Sequence, residues 1–306
     1  MKKIITLILI SIIFILGIVV GIFVCKKYIF EKRIVKLDEK TNLEVKEEKE
    51  NESIVVVLEK KEDIKVRMTA IGDIMCHNSQ YNDAYKNGIY DFSYVFEDIR
   101  TYIQNSDIAI GNLETTFAGV QKGYSSYPRF NTPEILAQNL KDLGIDVLST
   151  ANNHSLDMGY LGLENTIYYL DKEEILHTGT FKSEEEKNKI VVKEVNGLKI
   201  AFLSYTYGTN GIEIPIGKEY CINLIDKELI IYQLESAKKE ADVICVNMHW
   251  GTEYENNPND IQKELANFLL ENGVDIILGS HPHVLQPMEK RKLLLEDGTE
   301  KDVFVI

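Results

Sequence analysis

The sequence predicts a layered α/β domain that follows an N-terminal transmembrane helix. From Val66 onward, short apolar runs alternate with helical patterns, which is typical of sheets covered by helices. Side chains that bind metals follow several of these apolar runs, and residues 4–25 carry no charge. A chain of 306 residues is long enough to bury a core.

The uncharged N-terminal run is the basis for the transmembrane helix. Its 22 residues, IITLILISIIFILGIVVGIFVC, extend about 33 Å as a helix, which is enough to cross a bilayer. A cleaved signal peptide is the alternative, but its apolar core has about 7–15 residues and ends in small residues. No such cleavage site follows, and IFV before Cys25 matches a lipoprotein box poorly. We therefore predict an uncleaved anchor over residues 1–25. Basic residues flank both ends of the run, so charge alone leaves its orientation open.

Residues 26–64 are dense in charge, as in EVKEEKENE, and predict a solvated stalk with a short strand at SIVVVLE. A binding tail is the alternative. The folded domain is expected over residues 65–306. Because the sequence stops inside an apolar run, we expect that its C-terminus is truncated.

The formal net charge of −14 makes binding to nucleic acid by bulk attraction an unfavourable hypothesis. An anionic substrate would need local positive charge, such as a metal ion. The four cysteines form no C-x-x-C pair, so neither a disulfide framework nor a thiolate zinc site is indicated.

The first half of the domain alternates strands and helices. VRMTAIGD and DIAIGNLE predict strands on either side of a helix at YVFEDIRTYIQNS. TPEILAQNLKDLG predicts a helix with Thr132 as N-cap, Pro133 at its first position and Gly144 after its last turn. IDVLSTANNH predicts a strand and a loop, and GYLGLENTIYYLDKE a further helix.

A hairpin interrupts this alternation in the second half. Asn196 and Gly197 stand between two strand-like runs in KIVVKEVNGLKIAFLSY, a strong signal for a tight turn. A helix at DKELIIYQLESAKKEA, a strand at DVICVNMHW, a helix at NDIQKELANFLLENG and a strand at VDIILGS follow. KRKLLLEDGTEKDVFVI predicts a second hairpin around Asp297 and Gly298.

Five predicted strands end in groups that can bind a metal, and the carboxyl ends of parallel strands meet at one edge of a sheet. One such residue would be unremarkable, because an aspartate after a strand usually belongs to a turn and a lone histidine is usually structural. Five independent coincidences are a poor explanation, so we predict a functional site. The residues are Asp73, Glu114, Asn153 with His154, His249, and His281 with His283.

Neutral imidazoles and carboxylates suit zinc, manganese or iron. A site for two ions about 3.5–4 Å apart needs about as many ligands as this set provides, including a carboxylate that bridges them. In an extended segment residues i and i+2 face the same side. His281 and His283 would then both face the site, and Pro282 would restrict the backbone between them.

The segments GDIMCH, GNLETTF, ANNHSLDMG, HWGTEY and GSHPHVLQ resemble the motif series of the CapA/PgsA-like capsule synthesis proteins. The resemblance covers residues 66–306. It implies a calcineurin-like, metallo-dependent phosphatase sandwich with helices outside, a role in forming poly-γ-glutamate capsule, and a domain outside the cell on a single-pass anchor. It further implies an anionic envelope polymer or its precursor as substrate, and membrane synthase subunits as candidate partners.

The resemblance also implies roles for individual residues. Asp73 would bind the first metal, Glu114 would bridge the two, and Asn153 would be a ligand beside His154, the acid or phosphate-binding group. His249, His281 and His283 would complete the ligand set. Two positions depart from the superfamily pattern. Met75 occupies the histidine position of the D-x-H motif, which makes His77 a candidate additional ligand, and Glu114 replaces a shorter aspartate.

Other residues are weaker candidates. Asp157 and Gly159 are interpreted as shaping their loop and capping the next helix. Glu253 and Tyr254 are candidates to orient His249 or to contact substrate. Trp250 either stacks on a polymer unit or packs at the sheet edge, and Arg129 is either an anion contact or a surface residue.

Two functions remain open from the sequence. The first is a membrane-anchored metal-dependent hydrolase of capsule or cell-envelope polymer synthesis. The second is a non-catalytic assembly or export subunit of a polymer synthase, in which the metal serves stability.

Overall fold

The computed structural model describes residues 43–50, 53–60, 63–295 and 298–306. The predicted anchor lies outside these residues. Within them, no helix has both the length and the apolar character that crossing a bilayer requires. The chain divides into two units, Met1–Asp63 and Ile64–Ile306. The first contains an antiparallel pair, β1 (Leu43–Glu50) and β2 (Ser53–Lys60), and β2 covers the strand expected at SIVVVLE.

The second unit contains two sheets that face each other. A six-stranded mixed sheet has the order β13-β14-β12-β11-β10-β9, and a four-stranded parallel sheet has the order β3-β6-β7-β8. Strands β4 (Tyr85–Lys86) and β5 (Ile89–Tyr90) form a small separate pair. The strands of the two main sheets are β3 (Met68–Ile74), β6 (Ile108–Leu113), β7 (Val147–Ser149), β8 (Leu176–Thr178), β9 (Val191–Val195), β10 (Leu198–Thr206), β11 (Val243–His249), β12 (Ile276–Ser280), β13 (Glu289–Leu294) and β14 (Glu300–Val305).

Helices cover the outer face of each sheet. Those among the described residues are α1 (Asn78–Ala84), α2 (Glu97–Gln104), α3 (Ile135–Leu143), α4 (Gly159–Lys172), α5 (Glu184–Asn188), α6 (Lys227–Glu240) and α7 (Asp260–Glu271), with short 3-10 turns at Ser93–Phe96 and Val120–Lys122. Buried residues of α6 and α7 pack with β10 and β11 in one apolar cluster, and those of α2 and α3 pack with β6 in another.

Between the sheets lies a further apolar cluster. It joins Ile108, Ile110 and Val147 of the four-stranded sheet to residues of the six-stranded sheet that include Ile200, Phe202, Cys245 and Leu278. The layers therefore run helix, sheet, sheet, helix, which confirms the predicted α/β layering with helices outside. Polar contacts also cross between the sheets, and in one of them the buried hydroxyls of Ser149 and Ser204 are hydrogen-bonded at 2.6 Å.

Both predicted hairpins are confirmed. Strands β9 and β10 pair across Asn196 and Gly197, whose φ angles of 54° and 82° are both positive, as a tight primed turn requires. Strands β13 and β14 pair in the second hairpin, whose turn residue Asp297 lies outside the described residues.

One helix boundary differs from the prediction. Helix α3 begins at Ile135 and Thr132 is not its N-cap, because the Thr132 hydroxyl is hydrogen-bonded to that of Thr115 at 2.7 Å. The C-terminal prediction is confirmed, since Gly144 follows the helix with a φ of 109°.

Candidate metal centre

Asp73 enters the site through an irregular strand. The pairing of β3 with β6 shifts between Ala70 and Asp73, and such a bulge redirects a side chain. The Asp73 carboxylate accepts hydrogen bonds from the side chains of Asn112 at 2.8 Å and His283 at 2.8 Å. Burial alone would raise the pKa of Asp73, but these bonds and the nearby imidazole of His249 bring the pKa well below its usual range. Asp73 is therefore ionised.

Glu114 follows β6 and is fully buried. Burial, and then the neighbouring Asp73 carboxylate, raises the pKa of Glu114 to about 9. Its Oε1 atom has no hydrogen-bond partner among the described residues and lies 3.4 Å from Nε2 of His249. A buried carboxylate of this kind lacks the positive partner that would keep it ionised.

Asn112 joins these groups, and the sequence analysis did not identify it. Its buried side-chain amide donates to Asp73, lies 3.4 Å from Oε2 of Glu114 and lies 3.3 Å from Nδ1 of His249. Asn112 pairs with Asp73 in the sheet register. An asparagine inside the apolar strand IAIGNL was a usable signal, because asparagine is depleted in strands.

His249 ends β11 and is buried. Burial lowers the pKa of His249 to about 3, so the imidazole is neutral, as a metal ligand must be. Nδ1 lies 3.0 Å from Oγ of Ser280, and Nε2 lies 2.7 Å from Oδ1 of Asn153. Without a metal, Nε2–H can donate to Oδ1 of Asn153, and Nδ1 can accept from the Ser280 hydroxyl. A metal at Nε2 would require the other tautomer, in which Nδ1–H donates to Ser280, a residue that the sequence analysis also missed.

The HPH segment follows β12 in a conformation that the sequence analysis did not predict. His281 and His283 have φ angles of 95° and 56°, so the segment is not extended and the i, i+2 argument does not apply. Left-handed backbone at a non-glycine residue costs about 1–3 kcal/mol and persists mainly at functional sites. The two histidines nevertheless reach the same place, with their rings 5.9 Å apart.

The two imidazoles have different electrostatic environments. Burial, and then His249, lowers the pKa of His281 to about 4, and its buried Nδ1 has no hydrogen-bond partner among the described residues. The hydrogen bond to Asp73 raises the pKa of His283.

Two groups of side chains could each hold a metal ion. One consists of Asp73, Glu114 and His249, and the other of Glu114, His281 and His283. In each group the ligand atoms lie within 4.8 Å of one another. Glu114 belongs to both groups, which is the position of a bridging ligand. The chemistry of this donor set fits divalent ions, because a cation would satisfy both Oε1 of Glu114 and Nδ1 of His281.

His154 lies beside these groups and belongs to neither. Its Nδ1–H donates to Oδ2 of Asp157 at 2.7 Å, and the same oxygen accepts from the backbone N–H of Phe130 at 2.6 Å. The rings of Phe130 and His154 meet edge to face at 4.8 Å. The capping interpretation of Asp157 is wrong, because the residue before α4 is Met158 and no side chain caps that helix. Asp157 instead orients His154, while Gly159 begins the helix with a φ of 68°.

Asn153 contacts a residue outside the predicted set. Its Nδ2 donates to Oδ1 of Asn210 at 3.1 Å. Asn210 follows β10 in a long loop without periodic pattern, so no signal in the sequence identified it. Tyr207 from the same loop places its ring 4.7 Å from that of His281.

A cavity of about 710 Å³ opens beside the two groups and has Asp73, Asn112, His154 and His283 in its wall. This volume suits a small ligand or one unit of a polymer. His77, Glu253 and Tyr254 also line it. His77 is exposed, precedes α1 and belongs to neither ligand group. Met75, at the departing motif position, lines the cavity as well.

Two further candidates lie away from this cavity. Arg129 is exposed in the loop before Phe130 and is not part of the cavity wall. Trp250 is buried in the apolar cluster beneath the six-stranded sheet, as the packing alternative requires.

The sequence matches known proteins over most of the second unit. A family model described as "Bacterial capsule synthesis protein PGA_cap" matches residues 67–303, which confirms the resemblance seen in the motifs. The chain is 36% identical over 200 residues to the PGA biosynthesis protein CapA of Bacillus subtilis, covering 64% of this chain and 52% of the relative. It is 30% identical over 246 residues to the capsule biosynthesis protein CapA of Bacillus anthracis, covering 78% of this chain and 59% of the relative. It thus spans little more than half the length of these relatives.

Two solved structures resemble the chain at low sequence identity. The calcineurin-like phosphoesterase YfkN from Bacillus subtilis is 16% identical with a TM-score of 0.46, covering 72% of this chain and 73% of that chain. A 5'-nucleotidase from Staphylococcus aureus, described as putative in its structure's name, is 14% identical with a TM-score of 0.45, covering 78% of this chain and 53% of that chain.

Proposed function

The chain belongs to the PGA_cap family of bacterial capsule synthesis proteins, and on that premise we propose that it is a metal-dependent hydrolase of capsule or cell-envelope polymer synthesis. The observation that carries this proposal is Glu114, which two candidate ligand groups share and whose Oε1 atom is buried without a partner. Leaving a buried polar atom unsatisfied costs about 1–3 kcal/mol. A metal centre would remove this cost.

Asp73, Glu114 and His249 would hold one ion, and Glu114, His281 and His283 the other. Bound divalent ions lower the pKa of water and stabilise negative charge on an attacked phosphorus or acyl centre. The low pKa of His249 and His281, about 3 and about 4, keeps both imidazoles neutral and available as ligands near neutral pH. Asn153, whose Oδ1 already meets Nε2 of His249, offers a further oxygen.

His154 would provide the proton for the leaving group. Its Nδ1–H is fixed on Asp157, so Nε2 is the nitrogen that faces away from this contact and can carry a transferable proton. Phe130 restrains both members of the pair, through its N–H to Asp157 and its ring against His154. His154 therefore acts in a fixed orientation.

Elemental analysis of the purified chain, combined with turnover of a generic aryl phosphodiester, tests this function. We expect two equivalents of a manganese, iron or zinc ion and turnover that a chelator removes and added metal restores. Metal-free protein that stays inactive after reconstitution with each of these ions would contradict the proposal.

A non-catalytic assembly or export subunit is the second candidate. It is favoured by one observation: Met75 stands where the superfamily motif has a histidine, and His77 belongs to neither ligand group. One ion would then have fewer protein ligands than in proteins that have the complete D-x-H motif. Full metal content without turnover on any phosphodiester or acyl substrate would support this candidate.

The proposed location is the outer face of the cell membrane, with residues 1–25 as a single-pass anchor. The uncharged run and the family relationship support this location, and they make an envelope polymer and membrane synthase subunits the proposed partners. External protease on wall-stripped cells should release a fragment that begins in residues 26–64. Complete protection of the protein would contradict this topology.

A further inference from the structure

Asn247 is a buried polar residue that the proposed function does not use. It lies in β11, two residues before His249, so both side chains project from the same face of the strand. On that face Cys245 belongs to the apolar cluster between the sheets. Asn247 therefore lies between this cluster and the candidate metal centre, and only 5% of its surface is exposed.

The carboxamide of Asn247 has an unsatisfied acceptor. Its Oδ1 atom is buried and has no hydrogen-bond partner among the described residues. Leaving a buried acceptor without a donor is destabilising, and asparagine is in addition depleted in strands. An apolar side chain at this position would avoid both penalties. Packing therefore does not explain the asparagine, whereas a ligand that donates a hydrogen bond to Oδ1 would explain it.

Asn247 lines the same cavity as Asp73 and His283. Leu278, which pairs with Asn247 in the sheet register, is also part of the wall, and so is Gly72 of β3. A β-carbon on Gly72 would meet no atom within 4 Å. The cavity therefore has room for a further unit of a ligand whose anionic end lies at the metal-ligand groups.

The composition of the cavity wall favours a neutral group at Asn247. Among the described wall residues there is no lysine or arginine, and Asp73 and Glu253 are acidic, so the wall offers a second anionic group no permanent positive charge. An ammonium group would lose its hydration against the apolar Leu278, which is costly for a charge. A hydroxyl group is neutral, and it can both donate to the oxygen and accept from the nitrogen of a carboxamide.

We propose that Asn247 determines specificity by binding a hydroxyl group on the substrate unit next to the scissile bond, as in an ester of a sugar or a polyol. The proposal rests on the proposed function, which places the anionic end of the substrate at the metal ligands. Two residues along a strand span about 6.6 Å, a distance that a chain of three carbons between a phosphate and a hydroxyl group can cover.

Two ligands that differ at a single position test this subsite. 3-Hydroxypropyl phosphate and butyl phosphate have chains of the same length, but the first ends in a hydroxyl group and the second in a methyl group. We expect the metal-loaded protein to bind 3-hydroxypropyl phosphate about tenfold more tightly, because the methyl group would leave Oδ1 of Asn247 without a donor. Calorimetry measures both affinities without requiring turnover.

Asn247→Val locates the preference, because valine is favoured in strands and removes the carboxamide. The ratio of the two affinities should fall to about one, and the metal content should not change. The melting temperature of the metal-free variant should stay the same or rise, whereas loss of a structural residue would lower it. Asn256→Val is the matched control and should keep the full ratio, because Asn256 is exposed in the loop after β11 and does not line the cavity.

Equal binding of the two ligands by the metal-loaded, unaltered protein would overturn the subsite and leave the proposed function in place. A preference that survives in Asn247→Val would also overturn it. Loss of metal from this variant, or its failure to fold, would do the same, because Asn247 would then support the metal centre or the fold. If neither ligand binds, the metal content identifies the cause. With metal present only the subsite is refuted, and without metal the proposed function fails and the subsite fails with it.

Discussion

The four-stranded sheet and the six-stranded sheet contribute different chemistry to one site. The four-stranded sheet delivers carboxylates and amides, namely Asp73, Asn112, Glu114 and Asn153, together with His154. The six-stranded sheet delivers the imidazoles of His249, His281 and His283. Neither sheet alone holds a complete ligand group, because each group combines carboxylate from one sheet with imidazole from the other.

The two sides also carry different kinds of cost. On the carboxylate side the cost is electrostatic, since burial and Asp73 raise the pKa of Glu114 to about 9. On the imidazole side it is conformational, since His281 and His283 have positive φ angles. A cation would offset the electrostatic cost at Glu114 directly. By binding His281 and His283, it would also stabilise their left-handed backbone. The comparison therefore predicts that metal binding joins the sheets as well as providing chemistry.

The largest effect is expected from Glu114→Gln, which removes the ligand common to both groups. We expect the metal content to fall from two equivalents to less than one, and turnover to be lost. Elemental analysis measures the metal content, an activity assay measures turnover, and thermal unfolding with and without chelator measures the stability that the metal contributes. In the unaltered protein, each ion at 100 times its dissociation constant would contribute about 2.7 kcal/mol to stability.

The same variant separates structure from metal binding. Without metal, a carboxyl group with a pKa of about 9 is protonated at neutral pH, and glutamine is its neutral isostere. The free energy of unfolding of metal-free Glu114→Gln should therefore lie within about 1 kcal/mol of that of the metal-free unaltered protein. Two retained equivalents of metal would show that Glu114 is not shared.

His281→Ala tests the imidazole side alone. It removes one ligand from a single group, so one equivalent of metal should remain and the affinity for the second should fall by more than about 100-fold. The fold should survive, because the HPH segment lies at the edge of the sheet. His177→Ala is the control, since His177 belongs to neither group. Equal metal content in both variants would refute the ligand assignment of His281.

His154→Ala leaves both groups intact and should keep two metals. Loss of a proton donor should lower kcat by about 10²–10⁴, and the loss should be smallest for substrates whose leaving groups need no proton. Rates with a series of leaving groups measure this dependence. Metal loss equal to that of His281→Ala would make His154 a ligand and exclude the proton-donor role.

Ser280→Ala is expected to have the smallest effect. Without the Ser280 hydroxyl, Nδ1–H of a metal-bound His249 loses its acceptor, so the affinity of the first metal should fall by about 10–100-fold. Saturating metal should restore turnover, which a ligand variant would not permit. Titration with a metal-sensitive dye provides the affinities.

Strand periodicity was sufficient to predict the layers. The prediction of a single sheet edge was wrong, because the ligand groups combine residues from the strand ends of two facing sheets. Periodicity also predicted that Asp73, Glu114, His249, His281 and His283 would lie close together, and the structure brings them into two groups. Their role as ligands stays a prediction. Periodicity failed where contacts depend on loops. Asn210 and Tyr207 come from a segment without periodicity, and Asp157 turned toward His154 rather than toward the following helix.

His281 and His283 lie close together, as we predicted, but the reason given for this prediction was wrong. We predicted an extended backbone, and the structure has left-handed conformations at both histidines. A proline restrains its own φ and disfavours helix at the residue before it. These local rules do not include the contacts of Asp73, which accepts hydrogen bonds from the backbone N–H of His281 and the ring of His283. Tertiary contacts determined this backbone.

The hydrogen bond between Ser149 and Ser204, 2.6 Å across the sandwich, has a consequence for alignment. A metal centre tolerates errors of about 0.2 Å in its ligand distances. Apolar contacts between two sheet faces are not directional, and one residue along a strand is about 3.3 Å. The buried hydroxyl pair penalises any sliding of one sheet over the other, because a shift would leave both oxygens without a partner. The hydroxyl pair thus keeps the two sheets aligned, and with them the carboxylates of one sheet and the imidazoles of the other.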